Sequence, residues 1–206
     1  MAMINVFGIG PGCPRFVLAN LEELCQEVDL IIGSQRQLEI VEPQFEDKKV
    51  ALPRLKELLK LINEALASQQ KILLLASGDP MFYGIGTFIL QHFDRKLVQI
   101  YPGISSVQYL FSRLGLTMND CYLTSSHGRQ PDFDRLARES CVGMVTDEGC
   151  GPYQIAQALL ERQAVNKVMY IGENLSYPNE KMMKYKLQEV PNQKYEMNVV
   201  ILKDER

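Results

Sequence analysis

Three short segments of the chain gather residue types that bind ligands through backbone groups and small polar side chains. They are Gly8-Ile9-Gly10-Pro11-Gly12, the string Ala76-Ser77-Gly78-Asp79-Pro80-Met81-Phe82-Tyr83-Gly84, and Pro102-Gly103-Ile104-Ser105-Ser106. Each follows an apolar run that reads as a β-strand, and ligands of open α/β sheets bind outside the carboxyl ends of the strands. The first segment invites a dinucleotide-binding reading and fails it. The third glycine of that fingerprint falls on Cys13, Pro11 has no N–H to offer a phosphate, and the next strand ends in Gly33-Ser34 where an acidic ribose ligand would be needed. A tight strand-to-helix turn explains the same glycines and proline equally well.

The second segment ends the most hydrophobic run of the chain. Its Asp79, the aromatic Phe82 and Tyr83, and Gly84 and Gly86 suit a zwitterionic, sulfonium-bearing ligand with an adenine, which needs an acidic or carbonyl acceptor, an apolar lining and close backbone approach. A plain turn remains the alternative reading of Gly-Asp-Pro. The third segment opens a helix whose free N–H groups suit a carboxylate, or Ser105 is simply its N-cap. Two histidines are present. His92, beside Phe93, reads as a helix-end residue. His127 lies in the polar run Ser125-Ser126-His127-Gly128-Arg129, and by residue type alone both substrate contact and an inert loop stay open.

Elements that position these loops follow from periodicity. Strands are expected at Ile4–Ile9, Leu30–Ile32, Val50–Leu52, Lys71–Ala76 and Leu97–Tyr101. Helices are expected at Phe16–Val28, Gln35–Val41, from Leu55 to Leu66, at Ile85–Phe93 and at Ser105–Leu114. This βαβα order predicts a largely parallel sheet. Lys71–Ala76 lacks alternation, as a strand buried on both faces should. Gly115 stands where a helix C-cap glycine belongs. The second half repeats the theme: strands at Cys121–Thr124, Val142–Thr146 and Lys167–Ile171, and helices at Asp132–Glu139 and Tyr153–Gln163. Met182–Val190 and Met197–Leu202 flank Pro191-Asn192-Gln193 and are expected to form an antiparallel hairpin closing the sheet. The domain boundary is placed after residue 113, giving units 1–113 and 114–206.

Composition sets the remaining bounds. The formal charge of −3 on 206 residues, with no block of like charges, disfavours a nucleic-acid partner. The five cysteines are scattered without a C-x-x-C pair, so reduced thiols and no zinc site or other metal are expected, as in a cytoplasmic protein. The opening residues have no basic n-region ahead of an unbroken apolar run, so no signal peptide is expected, and no stretch approaches the ~18 apolar residues of a membrane span.

Taken together, the strings GIGPG, ASGDPMF and PGISS at these spacings resemble the tetrapyrrole methylase family over nearly the whole chain. The resemblance implies an α/β, two-domain tetrapyrrole methylase fold, with a mainly parallel N-terminal sheet, a mixed C-terminal sheet and S-adenosylmethionine in the cleft, S-adenosylhomocysteine being the product. It implies a cofactor pocket of Pro11, Ser77, Gly78, Asp79, Phe82, Ser105 and Ser106, extended by Thr146, Glu173, Asn174 and Asn198. Within the family, ASGDPMFYGIG, SSHGR, the Glu173-Asn174-Leu175 stretch and the closing Asn198–Leu202 are similar to the branch that methylates carbon 5 of a precorrin or cobalt-precorrin ring in cobalamin biosynthesis. Relatives in that branch commonly read Ser-Leu-His-Gly-Arg where this chain has Ser126 in place of leucine, which leaves His127 and Arg129 to hold the tetrapyrrole. Its carboxylates call for cations. Arg36 and Arg113 stay open as further candidates, and Arg135 reads as a solvated helix face.

The resemblance also implies a homodimer and a separate partner for the carbon-15 methylation and decarboxylation that some relatives carry fused. No catalytic base is assigned. Three alternatives share the cofactor loops: an enzyme of another tetrapyrrole position, a diphthine-type or ribosomal RNA methyltransferase, and a non-catalytic corrinoid-binding subunit.

Overall fold

The computed structural model describes residues 2–205. The chain divides into two units, Met1–Ser105 and Ser106–Arg206. The first contains β1 (Met3–Gly8), α1 (Leu21–Glu27), β2 (Leu30–Gly33), α2 (Gln35–Leu38), β3 (Lys49–Ala51), α3 (Leu55–Ala67), β4 (Lys71–Ala76), α4 (Ile85–His92) and β5 (Val98–Tyr101). All strands are parallel, in the order β3-β2-β4-β1-β5.

The period of two along a strand accounts for both cores of this unit. Leu73 and Leu75 of β4 join Phe7, Ile31, Leu24 and Leu38 on one face, under α1 and α2. Ile72, Leu74 and Ala76 join Ile4, Val6, Leu58, Ile62 and Ile89 on the other, under α3 and α4. With both faces covered, β4 has no polar side to show, which is why its sequence does not alternate. β1 and β4 are neighbours, and the helices that follow them, α1 and α4, lie on opposite faces. Their carboxyl ends therefore mark the topological switch point, outside which ligands of doubly wound sheets bind.

The second unit contains α5 (Ser106–Leu114), β6 (Tyr122–Ser125), α6 (Phe133–Arg138), β7 (Cys141–Val145), α7 (Pro152–Leu160), β8 (Lys167–Glu173), β9 (Lys181–Lys186) and β10 (Asn198–Asp204). Its sheet runs β6-β7-β10-β8-β9, with β6 and β7 parallel and the other pairs antiparallel. Val142, Met144, Val200 and Leu202 pack with α6 and α7. α5 packs on β7 and β10, where Val107 and Phe111 would lie within 3 Å of a Cβ at Gly143. α5 ends in a Schellman motif: the Leu116 N–H donates to Phe111 O at 3.0 Å and Gly115 takes φ +65.

Several sequence expectations are corrected. Met182–Val190 and Met197–Leu202 do not form a hairpin. β9 pairs with β8 at the sheet edge, and β10 inserts between β7 and β8. The physical reason is visible along the strands: β9 is exposed or half-buried at every position, whereas Val199–Leu202 are all buried and need neighbours on both sides. The first helix is shorter than Phe16–Val28. Pro14 opens a 3-10 turn, Val17 is extended, and Asn20 occupies the N-cap position of α1. The division between units falls at Ser105, before the expected Arg113, because α5 packs on the second sheet.

A central β10 and an edge β9 make unequal demands. Leu202→Ala is expected to cost about 2–5 kcal/mol, and Met182→Ala, with a side chain at the exposed edge, within about 0.5 kcal/mol. Urea unfolding of the two variants checks the order, and equal losses would reject this strand placement.

Candidate functional site

In the first unit the three loops meet at backbone distance. Gly10 and Gly78 exchange hydrogen bonds, Gly78 N–H to Gly10 O at 2.8 Å and Gly10 N–H to Gly78 O at 3.3 Å. A Cβ on Gly103 would sit 2.1 Å from Gly78 O, and one on Gly8 2.6 Å from the same oxygen. No side chain fits at either place. Asp79 ties the assembly together: Oδ1 accepts from Met81 N–H at 2.7 Å and Oδ2 from Gly103 N–H at 3.2 Å. The loops after β4 and β5 are thus joined by the carboxylate that sequence reading had assigned to the ligand.

Around this junction Pro11 is buried, Ser105 is buried at the end of the third loop, and Phe82 is half-buried with its ring edge-on to Tyr83 at 5.1 Å. Ser77 is exposed, and its Oγ accepts from Arg36 Nη2 at 2.8 Å and from Gln37 Nε2 at 3.0 Å. Arg36 therefore stands at the carboxyl edge of this sheet, a placement its position in the sequence left open. Gln37 touches a candidate site residue and was missed in the sequence, since its contact with Ser77 depends on β2 and β4 being neighbours.

In the second unit Thr146, Glu173, Asn174 and Asn198 are brought together at one end of the sheet. β10 runs against β7 and β8, so its first residue meets their last. Thr146 Oγ1 donates to Asn198 O at 2.8 Å and to its Oδ1 at 2.7 Å. Asn198 Nδ2 donates to Glu196 O at 2.7 Å, and Glu173, almost wholly buried, accepts from Glu196 N–H at 2.6 Å. Asn174 donates from its side chain to the Glu196 carboxylate and from its backbone to Met197 O at 2.9 Å. Glu196 links the group and had no signal in the sequence.

His127 and Arg129 are exposed on the loop after β6. Ser125 Oγ accepts from His127 N–H at 2.9 Å, and Ser126 Oγ donates to Cys150 O at 2.8 Å. Asp147, also missed, straps this loop to the one after β7. Its Oδ2 accepts from Gly128 N–H at 2.8 Å, and its Oδ1 from Gly149 and Cys150 N–H at 3.0 and 2.9 Å. The Gly128 and Cys150 amides, and then Gly149 and the charge of His127, outweigh partial burial and hold the carboxyl below its ordinary value of 3.8.

The other candidate cations are engaged elsewhere. Arg113 pairs with Glu180 at 3.1 Å. Burial works to raise that carboxyl, but the Ser176 amide, the Tyr109 hydroxyl and Arg113 keep it low. Arg135 bonds Glu139 at 3.0 Å and covers the Tyr122 ring at 3.7 Å. His92 ends α4 with Nδ1 2.8 Å from Phe88 O.

Two predictions follow from these contacts. Gly103→Ala forces a methyl onto Gly78 O and is expected to cost about 2–4 kcal/mol, whereas Gly149→Ala, whose nearest neighbour would be 3.5 Å away, stays within about 0.5 kcal/mol; urea unfolding compares them. Asp147 has a lowered folded-state pKa, so its contribution is complete above its unfolded value and is lost as pH falls through the depressed one. Hydrogen exchange at Gly128, Gly149 and Cys150, corrected for the intrinsic rate, should stay flat to about pH 4 and quicken below it. In Asp147→Ala it should be fast throughout.

Comparison with known proteins places this arrangement. The model of the Tetrapyrrole (Corrin/Porphyrin) Methylases matches residues 3–191. The chain is 42% identical to the cobalt-precorrin-7 C(5)-methyltransferase of Salmonella typhimurium over 205 residues, 99% of this chain and 100% of that protein. In fold it is similar to the precorrin-6Y methylase of cobalamin biosynthesis from Archaeoglobus fulgidus, with TM-score 0.77 at 20% identity over 99% of each chain. It is similar also to the uroporphyrin-III C-methyl transferase of Thermus thermophilus, solved with S-adenyl homocysteine, with TM-score 0.77 at 21% identity over 98% of this chain and 97% of that one. Matched from the first strand to the far side of β9, and related end to end to a named methylase, the chain belongs to the tetrapyrrole (corrin/porphyrin) methylases.

Proposed function

We propose that the chain is an S-adenosylmethionine-dependent methyltransferase that methylates carbon 5 of a precorrin or cobalt-precorrin ring in cobalamin biosynthesis. The observation that carries this reading is the 42% identity, end to end, to a relative named for that reaction. The switch point at the ends of β1 and β4 supports the cofactor assignment. It joins an exposed hydroxyl, a half-buried aromatic ring and loops packed too closely for side chains, which suits an adenosyl group carrying a charged amino-acid end.

When bound, S-adenosylmethionine supplies an electrophilic methyl group on its sulfonium. The meso carbon of the tetrapyrrole, conjugated to ring nitrogens, is enamine-like, so the protein has to align it more than to deprotonate it. Alignment supplies up to ~7–11 kcal/mol. Pro11, Ser77, Gly78, Asp79, Phe82, Ser105 and Ser106 are assigned to the cofactor, as are Thr146, Glu173, Asn174 and Asn198. His127 and Arg129 are assigned to the tetrapyrrole carboxylates. Asp79 acts by fixing the loop that carries Ser77 and Gly78.

The proposal includes a homodimer in the cytoplasm, working beside a separate carbon-15 methyltransferase. Among the described residues, no helix is long and apolar enough to cross a membrane.

Incubation with S-adenosylmethionine and a panel of corrin intermediates, with and without cobalt, is expected to add one methyl group, located at carbon 5 by NMR. Methylation at another carbon, or of none of the panel, would sink the reading. Calorimetry should show binding of S-adenosylhomocysteine and none of NAD. Because Arg129 is exposed, Arg129→Ala should weaken corrinoid binding by about 1 kcal/mol or less while leaving cofactor affinity intact. The reverse pattern would put this loop in the cofactor site.

A further inference from the structure

We infer that Arg36, Gln37 and Ser77 form a carboxylate-binding subsite at the carboxyl edge of the first sheet, with the Ser77 hydroxyl as its donor and the Arg36 guanidinium as its charge. The chain of contacts begins at the amino end of α2. Ser34 N–H donates to Gln37 Oε1 at 2.7 Å, which fixes the orientation of a side-chain amide that is 6% exposed. With Oε1 held by a donor, the other end of the amide is Nε2, and it donates to Ser77 Oγ at 3.0 Å. Arg36 Nη2 donates to the same oxygen at 2.8 Å.

Neither an amide NH2 nor a guanidinium can accept a hydrogen bond. Ser77 Oγ is therefore an acceptor twice over, and both of its lone pairs are engaged. What remains is its single O–H, which must point away from Arg36 and Gln37. Ser77 is exposed, immediately after β4 and beside the Gly10–Gly78 contact, so the proton is open to a ligand at the carboxyl edge of the sheet. A hydroxyl that already accepts from a cation is polarised toward donation. An oxygen bound to it lies one hydrogen bond farther from a fixed positive charge, close enough to favour an anion and to repel an ammonium. Carboxylates and phosphates are the anions that a guanidinium matches, and of the two it is carboxylates that the ligands of the proposed reaction carry.

This inference rests on the proposed function, because both ligands of that reaction carry carboxylates: the amino-acid end of the cofactor and the acid side chains of the ring. The test uses four probes on the whole protein: S-adenosylhomocysteine, its decarboxylated analogue, cobyrinic acid and its heptamethyl ester. Arg36→Ala and Ser77→Ala should each weaken one of the two acid probes about fivefold, as loss of a charge-assisted bond at an exposed site does, and should not weaken the matching carboxylate-free probe; the decarboxylated analogue, which keeps its ammonium, should bind Arg36→Ala as well or better. A loss on S-adenosylhomocysteine identifies the cofactor carboxylate as the ligand, and a loss on cobyrinic acid identifies the ring's. Arg36→Lys keeps the charge without the planar fork and should fall between, and it carries the test where an alanine variant melts early. Equal loss on acid and carboxylate-free probes, loss in only one alanine variant, or no loss at all would overturn the subsite. A wild-type protein that binds neither acid would overturn the functional reading with it, whereas normal wild-type binding with unchanged variants overturns the subsite alone.

Discussion

The carbonyl oxygen of Gly78 sits against the backbone of Gly8 and Gly103, with no room for a side chain at either neighbour. Adjacent strands of a sheet are about 4.8 Å apart, so the loops leaving β4, β1 and β5 are already close when they emerge. They stay that close only where no Cβ intervenes. This contact depends on the strand order β4-β1-β5, and that order depends in turn on burying β4 and β1 on both faces. The local geometry then follows. Gly78 is pinned to Gly10, Asp79 is free to reach Gly103, and Ser77 is left as the side chain facing outward, where Arg36 and Gln37 can reach it.

The second unit solves a comparable problem with side chains. Its sheet is mixed, and the antiparallel insertion of β10 brings the start of one strand beside the ends of two others. The strand ends are joined by Thr146 to Asn198 and by Glu173 to the Glu196 amide. Carboxylates do much of this work because each oxygen accepts more than one N–H and the charged form is favoured by every amide aimed at it. Asp147 is the clearest case, with three amides from two loops.

Local features of the sequence carried far into the structure. The unbroken apolar run of β4, the helical spacing of α3 and the position of Gly115 are each decided by residues within one element, and each is found where expected. The three loops at strand ends were legible for the same reason, since glycine, proline and serine mark the turns that leave a strand. What was not legible is long-range. Nothing in Asn198–Asp204 announces that the strand lies between β7 and β8, because burial says that it has neighbours and not which ones. Gln37, Asp147 and Glu196 were missed likewise: each is an ordinary polar residue until topology delivers its partner from 40, 19 or 23 positions away.

The ionisable groups with displaced pKa values bear on what kind of chemistry this framework supports. Burial pushes the Cys25 and Cys121 thiols up to about 11 and about 12, and the Tyr195 hydroxyl to about 12. Asp147 and Glu180 move the other way. Every one of these shifts drives its group farther from neutrality, so each keeps one protonation state across the physiological range. A general acid or base needs the opposite, a pKa brought toward the working pH. These groups serve to hold loops and pack strands in fixed charge states. The methyl transfer proposed above makes that same demand, since its barrier would be lowered chiefly by holding two partners in line.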